Sequence, residues 1–289
     1  MNWKTKCLAF HLFARLPGGR RLHSFMQRHV TRSFFLEVTD EVLSSYDFHL
    51  KNFRKLTTAG CALEIGAGTN LLLPLLLRKE GATQIYAFDL NRLATVEQVN
   101  HVILQLGKRF SREGEWPTVD NLEDDLTKKY YIIYRAPADA RRTGLPPNSI
   151  DFIYTTSVLE HIPEEEIEPI LTECRRIATS DAIMSHNIGY IDHYAHSDSS
   201  ISYFNFYKYS DSKWRFFNPP NQFQNRLRHC DFEGIFKRFG FRIVENERVM
   251  ATPKEKEPAV ALCSKFQGYS EDDLFTHDGL FTLRDSFSG

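Results

Sequence analysis

The sequence has few cysteines, and no two of them have the spacing of a disulfide or metal-binding pair. Its five cysteines are odd in number and far apart, at Cys7, Cys61, Cys174, Cys230 and Cys263, with no CxxC pair among 289 residues. This pattern predicts neither a disulfide framework nor a zinc knuckle. It favours a reducing, cytoplasmic location.

Long apolar runs and a strong net charge are also missing. No stretch approaches the roughly 20 apolar residues that a membrane-spanning helix needs, and the first 35 residues show no plausible signal cleavage site. The net charge of −1 provides no global basic field for nucleic acid. These absences predict a protein that is neither secreted nor membrane-spanning nor bound to nucleic acid.

The charges that are present are unevenly distributed. Seven Lys or Arg and no acidic residue precede Glu37, whereas five acidic residues lie between Glu271 and Asp285. Residues 1–36 are interpreted as a basic helical cap packed on the main domain. An alternative is an amphipathic helix on the anionic inner face of a membrane, as a peripheral contact. Residues 267–289 are predicted to be an acidic surface tail.

Between these ends, residues 37–266 alternate apolar strands with helices. Strands are predicted at 62–65, 84–89, 130–136, 150–156 and 181–187, and helices near 37–56, from about 70, and at 92–106, 164–178 and 230–239. This alternation predicts a parallel sheet with helices on both faces. Two late strands, at 241–250 and 259–266, predict an antiparallel hairpin at its edge.

The stretch CALEIGAGTN, residues 61–70, places a bare turn at the end of the first strand. Without Cβ atoms at Gly66 and Gly68, the chain can turn sharply and a ligand can lie against the backbone. A dinucleotide motif would have a third glycine where Leu71 stands, and Glu64 would repel phosphates. A ligand that carries positive charge therefore fits better than a pyrophosphate.

Four strand ends resemble motifs of class I S-adenosylmethionine-dependent methyltransferases. Glu64, Gly66, Gly68 and Thr69 match the first motif, E-x-G-x-G-[ST], and Asp89 ends the second strand in YAFDLN. The sequence ADA at 138–140 follows the third strand, and SVLEHIP at 157–163 follows the fourth. The resemblance covers residues 60–190.

This resemblance implies S-adenosylmethionine as the cofactor. It also implies a Rossmann-like α/β fold with a seven-stranded, mostly parallel sheet, an antiparallel edge hairpin, the N-terminal helical cap and a lid insertion after the fifth strand. In the family, the acidic residue at the position of Asp89 holds the ribose hydroxyls, and an aspartate such as Asp139 receives the adenine amino group. The predicted cofactor-binding residues are Glu64, Gly66, Ala67, Gly68, Asn70, Asp89, Leu90, Ala138, Asp139, Ala140, Ser157 and Glu160.

An aromatic-rich insertion at about 188–229 is predicted to lie over the methyl-transfer site as a lid. Aromatic faces among histidines and carboxylates suit a polyhydroxylated acceptor, with the alternative that the aromatic residues form the insertion's own core. The predicted substrate-binding residues are His161, His186, Tyr190, Tyr194, Trp214 and Arg226.

His193, His196 and Asp198 are predicted to be catalytic. One histidine would act as a general base, oriented by Asp192 or Asp198. The spacing His193-x-x-His196-x-Asp198 also suits a metal ion. Because the surrounding sequence is turn-like and offers no fourth ligand, the general base is favoured and no metal is predicted.

Together these inferences predict a cytoplasmic enzyme that methylates a hydroxyl of a sugar, glycan or glycolipid precursor. The lid and the N-terminal sequence are similar to those of bacterial methyltransferases of polysaccharide biosynthesis, which implies such an acceptor. Two alternatives stay open: methylation of a small nonsugar metabolite at oxygen, nitrogen or carbon, and a noncatalytic scaffold that keeps the cofactor pocket. Nucleic acid is disfavoured as acceptor because TTSV, at 155–158, stands where an NPPY-like tetrapeptide would be expected.

Overall fold

Seven strands form one sheet in the structure, a computed structural model that describes residues 2–15, 34–58, 60–111 and 114–286. The strands are β1 (Cys61–Ile65), β2 (Gln84–Phe88), β3 (Ile132–Arg135), β4 (Ile150–Thr156), β5 (Ala178–Gly189), β6 (Phe241–Met250) and β7 (Thr276–Asp285). Their order is β3-β2-β1-β4-β5-β7-β6. Strands β1 to β5 are parallel, whereas β7 is antiparallel to both β5 and β6. The predicted fold class is confirmed.

Helices cover both faces of this sheet. They are α1 (Trp3–Arg15), α2 (Asp40–Ser44), α3 (Asp47–Phe53), α4 (Leu72–Lys79), α5 (Val96–Arg109), α6 (Asp124–Tyr130), α7 (Glu164–Ile177), α8 (Asp211–Phe217), α9 (His229–Arg238), α10 (Pro253–Lys256) and α11 (Glu271–Phe275). In the part of the chain that the structure describes, no helix has the length and apolar character needed to cross a membrane.

Alternate strand residues form two cores, one on each face of the sheet. Ala62 and Phe152 belong to the core that α3, α4 and α5 cover. Leu63 and Ile153 point the other way, into the core beneath α7 and α9. Because side chains alternate along a strand, a sheet buried on both faces needs continuous apolar runs, which these strands have.

A third apolar cluster joins residues 190–228, here called the aromatic insertion, to helix α1 and to residues 251–274. It combines Trp3, Cys7 and Phe10 of α1 with aromatic side chains of the insertion and apolar residues of 251–274. Helix α1 therefore packs on the domain, and the cap over residues 1–36 stays a prediction. Residues 16–33 of the predicted cap lie outside the described residues, and the membrane-surface interpretation stays a prediction.

The last part of the chain differs from the prediction. Residues 259–266 contain no strand and end in a 3-10 turn, Ser264–Phe266. The partner of β6 is β7, which lies within the predicted acidic tail and buries Phe281 and Leu283. Acidic residues and a glycine interrupt the apolar pattern of β7, so that its sequence looks like a surface tail. The helix predicted at 37–56 is two short helices, α2 and α3.

Candidate functional site

The carboxyl ends of β1 to β4 meet at one edge of the sheet, because these strands are parallel and adjacent. The predicted cofactor-binding residues all lie at these strand ends or in the turns and short helices that follow them: Glu64, Gly66, Ala67, Gly68, Asn70, Asp89, Leu90, Ala138, Asp139, Ala140, Ser157 and Glu160. Ligands of open α/β sheets bind at such an edge. The four motifs are therefore brought to one place, while the contacts of the individual residues with a ligand stay predictions.

The turn after β1 requires glycine. Gly66 and Gly68 have φ angles of +82° and +65°, in the left-handed region. A Cβ on Gly66 would overlap the Cγ2 methyl of Val158, whereas a Cβ on Gly68 would meet nothing within 4 Å. The space above Gly68 is therefore open to a ligand.

Asp89 connects this turn to the ends of β2 and β3. Its carboxylate accepts hydrogen bonds from the backbone N–H groups of Gly68 (3.0 Å) and Asn91 (2.8 Å). Its carbonyl oxygen accepts one from the N–H of Ala138 (2.8 Å). The position of Asp89 at the ends of β2 and β3 suits the predicted contact with ribose hydroxyls.

Asp139 has a protein partner at the same edge. Both of its oxygens accept hydrogen bonds from Nε of Arg141, at 2.9 and 3.0 Å, and this interaction lowers the pKa of Asp139. The predicted adenine contact would therefore require Arg141 to share the carboxylate. Leu90, beside Asp89, is 66% exposed, and its contact with the cofactor stays a prediction. Asn70 accepts a hydrogen bond from the N–H of Leu72 at the start of α4.

Several buried polar atoms at this edge have no hydrogen-bond partner among the described residues. They are Oε2 of Glu64, the hydroxyl of Tyr154, Oε2 of Glu160 and Oδ1 of Asn187. Burial, followed by the nearby charge of Asp89, raises the pKa of Glu64 well above its usual range. A buried polar atom without a partner costs about 1–3 kcal/mol and is rare in native proteins. Four such atoms at neighbouring strand ends support a ligand site here, while Nε2 of His186 in the core is also without a partner among the described residues.

A polar network beneath this edge was missed in the sequence. His49 of α3 is fully buried, with Nδ1 2.8 Å from Oγ of Ser185 and Nε2 3.2 Å from Oγ1 of Thr156. Asn52 donates to Oγ of Ser185 (3.0 Å) and to Oγ1 of Thr282 (2.8 Å). Burial, and then the neighbouring His186, lower the pKa of His49 to about 3. The sequence signal for this network was the presence of His49 and Asn52, three residues apart, in the segment that forms α3.

The predicted catalytic histidines are close together, beside the turn after β4. The ring centroids of His161 and His193 are 4.8 Å apart, and those of His193 and His196 are 5.6 Å apart. Burial lowers the pKa of His193 to about 3 and also lowers that of His161. His196 is exposed to solvent. A catalytic role for His193 or His196 stays a prediction.

The predicted orienting carboxylates point elsewhere. Asp198 accepts hydrogen bonds from the N–H of Trp3 (2.8 Å) and from Ser200, so it holds the start of α1. Asp192 accepts from the N–H of Tyr194 (2.9 Å) and from Nδ2 of Asn205 (3.0 Å). The prediction that either aspartate orients a catalytic histidine is wrong, because both carboxylates stabilise the aromatic insertion.

Most predicted substrate-binding side chains lie in the interior. Tyr194 and Trp214 are buried in the third cluster, and Tyr190 is buried against α9. The guanidinium of Arg226 donates to the carbonyl oxygens of Phe206 and Tyr209 and pairs with Asp211. The aromatic insertion packs these four side chains largely into its own core, although Tyr190 and Arg226 also line a small cavity beside Glu160. A contact of any of the four with a substrate stays a prediction.

His186 is also misplaced by the prediction. Its side chain lies on the face of the sheet opposite His49, stacked on Phe236 with ring centroids 5.6 Å apart. Its Nδ1 is 2.9 Å from Oγ1 of Thr155. His186 is thus a core residue, and among the six predicted substrate-binding residues only His161 stays half-buried at the site.

The fold and the site define a Rossmann-like α/β protein with a nucleoside-type cofactor site at the carboxyl ends of its parallel strands. The sequence profile described as "Methyltransferase domain" matches residues 35–246, which is more than half of the chain. The chain therefore belongs to this methyltransferase domain family, and S-adenosylmethionine is its cofactor.

Solved structures similar to the chain include three S-adenosylmethionine-dependent methyltransferases. The protein from Methanosarcina mazei is 11% identical, with a TM-score of 0.49, over 86% of this chain and 99% of that chain. The one from Archaeoglobus fulgidus is 14% identical, with a TM-score of 0.45, over 86% and 100%. A putative one from Listeria monocytogenes is 10% identical, with a TM-score of 0.46, over 84% and 99%. No curated protein matches the chain by sequence.

Proposed function

We propose that the chain transfers the methyl group of S-adenosylmethionine to a hydroxyl of a sugar, glycan or glycolipid precursor. The family supplies the methyl-transfer chemistry. The observation that carries the choice of acceptor is the group formed by Glu160, His161 and His193 beside the cofactor edge. A hydroxyl must lose its proton as it attacks the methyl group, and imidazole or carboxylate groups can assist that loss either as bases or as ligands of a metal ion.

The position of the aromatic insertion supports an acceptor site at this group. The backbone N–H of Asn225 donates to the carbonyl oxygen of Glu160 (2.9 Å), so the insertion lies directly against the turn after β4. The carbonyl oxygen of Asn187 accepts the N–H of Ser157 in the same turn (2.9 Å), and its Oδ1, which has no partner among the described residues, offers a hydrogen-bonding position to an acceptor. The buried aromatic side chains give no support to a sugar, and the proposal depends on polar groups instead.

Two measurements test this proposal in order. Titration calorimetry with S-adenosylmethionine and with its demethylated product should show binding of both, whereas no heat with either would favour a noncatalytic scaffold. Labelled methyl donor is then incubated with nucleotide sugars, a glycolipid precursor, nonsugar alcohols and amines, and products are located by mass shift and fragmentation.

A label on a sugar hydroxyl is the expected result. The Gly66→Ala variant is the control, because it should lose transfer to the same acceptor. A label on nitrogen or carbon of a nonsugar compound would overturn the acceptor and leave methyl transfer intact.

A further inference from the structure

Three potential metal ligands from two distant parts of the chain meet beside the cofactor edge. Glu160 and His161 are consecutive in the 3-10 turn Leu159–His161 after β4, and His193 belongs to the aromatic insertion. Each offers one ligand atom, and these atoms all lie within 4.8 Å of one another. Ligand atoms about 2.1 Å from a shared ion are at most about 4.2 Å apart. Displacing each ligand atom by less than about 1 Å, through a small side-chain rotation, would therefore complete the site.

The tautomer of His161 is suited to metal binding. Its Nδ1 is 2.6 Å from the carbonyl oxygen of Phe223, and a carbonyl oxygen only accepts hydrogen bonds. Nδ1 therefore carries the proton and Nε2 keeps its lone pair. A backbone carbonyl that receives the second N–H of the ring is a usual outer partner of a metal-binding histidine.

The carboxylate of Glu160 is an independent indication of a missing ligand. Glu160 is 3% exposed. Its Oε1 accepts a hydrogen bond from the N–H of Gly189 (3.1 Å), whereas its Oε2 is buried without a partner within the described ranges. A buried carboxylate oxygen with no donor beside it is costly unless a cation or a ligand is bound there.

One short segment positions all three groups. The carbonyl oxygen of Phe223 orients the ring of His161. Oε1 of Gln224 accepts the backbone N–H of His193 (3.1 Å), and the N–H of Asn225 donates to the carbonyl oxygen of Glu160 (2.9 Å). Residues 223–225 thus hold the turn after β4 and the aromatic insertion in one arrangement, as an outer shell does around a metal ion.

We propose that Glu160, His161 and His193 bind a divalent first-row transition-metal ion of the kind that Zn²⁺, Co²⁺ and Mn²⁺ represent. Two imidazoles with one carboxylate favour these ions over Mg²⁺, which prefers oxygen ligands. Three protein ligands leave at least one position open for water or a substrate oxygen.

The catalytic role of this ion rests on the proposed function, whereas its binding does not. An acceptor hydroxyl in the open position would lose its proton to solvent more readily, because the ion stabilises the alkoxide. The alkoxide oxygen then forms a bond to the methyl carbon as the bond from that carbon to sulfur breaks. The electron pair of the broken bond stays on sulfur, which gives a neutral thioether and the methyl ether.

The site is tested by metal binding to the full chain after treatment with a chelator. Titration with Zn²⁺ and Mn²⁺, and metal analysis after desalting, should show equimolar binding, with little binding of Mg²⁺. His193→Ala and His161→Ala should each weaken Zn²⁺ binding by more than the roughly 10–100-fold that loss of an outer-shell partner costs. His196→Ala is the matched control, because this exposed histidine neighbours His193 but is not among the three potential ligands. It should bind Zn²⁺ as the wild type does.

Three further readouts separate the possible failures. Thermal unfolding and cofactor titration of each variant show whether it is folded, and the visible spectrum of the Co²⁺-loaded wild type reports imidazole ligands without any substitution. A wild type that binds neither Zn²⁺ nor Mn²⁺, or alanine variants that bind like the wild type, would overturn the site. Metal binding with transfer unaffected by chelation would overturn only the catalytic role. Loss of cofactor binding in the wild type would instead contradict the proposed function.

Discussion

The carboxyl edge of the sheet and the aromatic insertion both bury polar side chains, but they differ in how these are paired. At the edge, Glu64, Tyr154, Glu160 and Asn187 each keep a buried atom without a partner in the described parts of the chain. In the insertion, the buried polar side chains make hydrogen bonds to backbone or side-chain groups: Asp192, Asn205, Gln224, Arg226 and Arg228. Nε1 of Trp214 is the exception there.

This difference distinguishes residues that contact a ligand from residues that stabilise the fold. An unpaired buried polar group destabilises the empty protein, and a ligand that pairs with it recovers the cost. A fully paired group contributes to stability whether or not a ligand is present. Substitutions of unpaired groups at the edge should therefore weaken affinity without lowering the stability of the empty protein, and substitutions in the insertion should lower stability without changing affinity.

The largest effect is expected at Arg228, in the insertion. Its fully buried guanidinium donates to the carbonyl oxygens of Tyr190, Asp273, Leu274 and Thr276. Arg228→Met would remove all four hydrogen bonds and leave buried carbonyl oxygens short of a donor, and the free energy of unfolding should fall by about 4 kcal/mol in denaturant titration. Cofactor affinity of the folded molecules should not change.

The control for this prediction is Arg284→Met. Arg284 makes one exposed hydrogen bond, to the carbonyl oxygen of Asp181, and its loss should cost within about 0.5 kcal/mol. A stable Arg228→Met protein that has lost cofactor or acceptor binding would show that the insertion takes part in binding. The contrast between a ligand-binding edge and a stabilising insertion would then be wrong.

The next effect is expected at the glycine turn of the edge. In Gly66→Ala, the new methyl group would overlap Val158, at a φ of +82° that disfavours any side chain. The turn must shift, and cofactor affinity should fall by about 3 kcal/mol in titration calorimetry with the demethylated product.

Gly81→Ala separates the overlap from the backbone strain. Gly81 has a φ of +99°, and a Cβ there would meet nothing within 4 Å. It should lose about 1 kcal/mol of stability and keep its cofactor affinity. Equal affinity for both alanine variants and the wild type would mean that the cofactor does not lie on this turn.

The edge could be predicted from the sequence because each of its signals is local. A glycine turn after Glu64 and an acid at the end of a strand such as Asp89 are visible within ten residues, and parallel pairing brings the strand ends together. The insertion could not be predicted in this way. Whether Tyr194 and Trp214 face solvent or a core depends on α1 and on residues 251–274, which lie far away in the sequence.

Long-range pairing also explains the other misses. β7 is recognisable only by its neighbours β5 and β6, because its own sequence mixes acids, glycine and apolar residues. The group of Glu160, His161 and His193 forms only after β5 returns the chain to the same edge. The spacing of His193, His196 and Asp198 is a pattern within one short segment. The group in the structure instead combines Glu160 and His161, after β4, with His193 of the aromatic insertion.

The smallest and sharpest test is Glu64→Gln, because stability and affinity should move in opposite directions. Burial, and then Asp89, raise the folded-state pKa of Glu64 above its unfolded value. A carboxyl of this kind contributes stability that is fully present below the unfolded pKa and is lost as pH rises through the folded pKa. Glutamine is neutral throughout and avoids this loss.

The empty Glu64→Gln protein should therefore match the wild type near pH 4 and exceed its free energy of unfolding by about 1 kcal/mol at pH 8. Its cofactor affinity at pH 8 should be weaker by about 1 kcal/mol, because an amide is a poorer partner than a carboxylate for a cationic ligand. Denaturant titrations at the two pH values, with and without saturating demethylated cofactor, measure both quantities on the same samples. A less stable variant with unchanged affinity would make Glu64 a structural residue, and the unpaired oxygens of the edge would then no longer indicate ligand contacts.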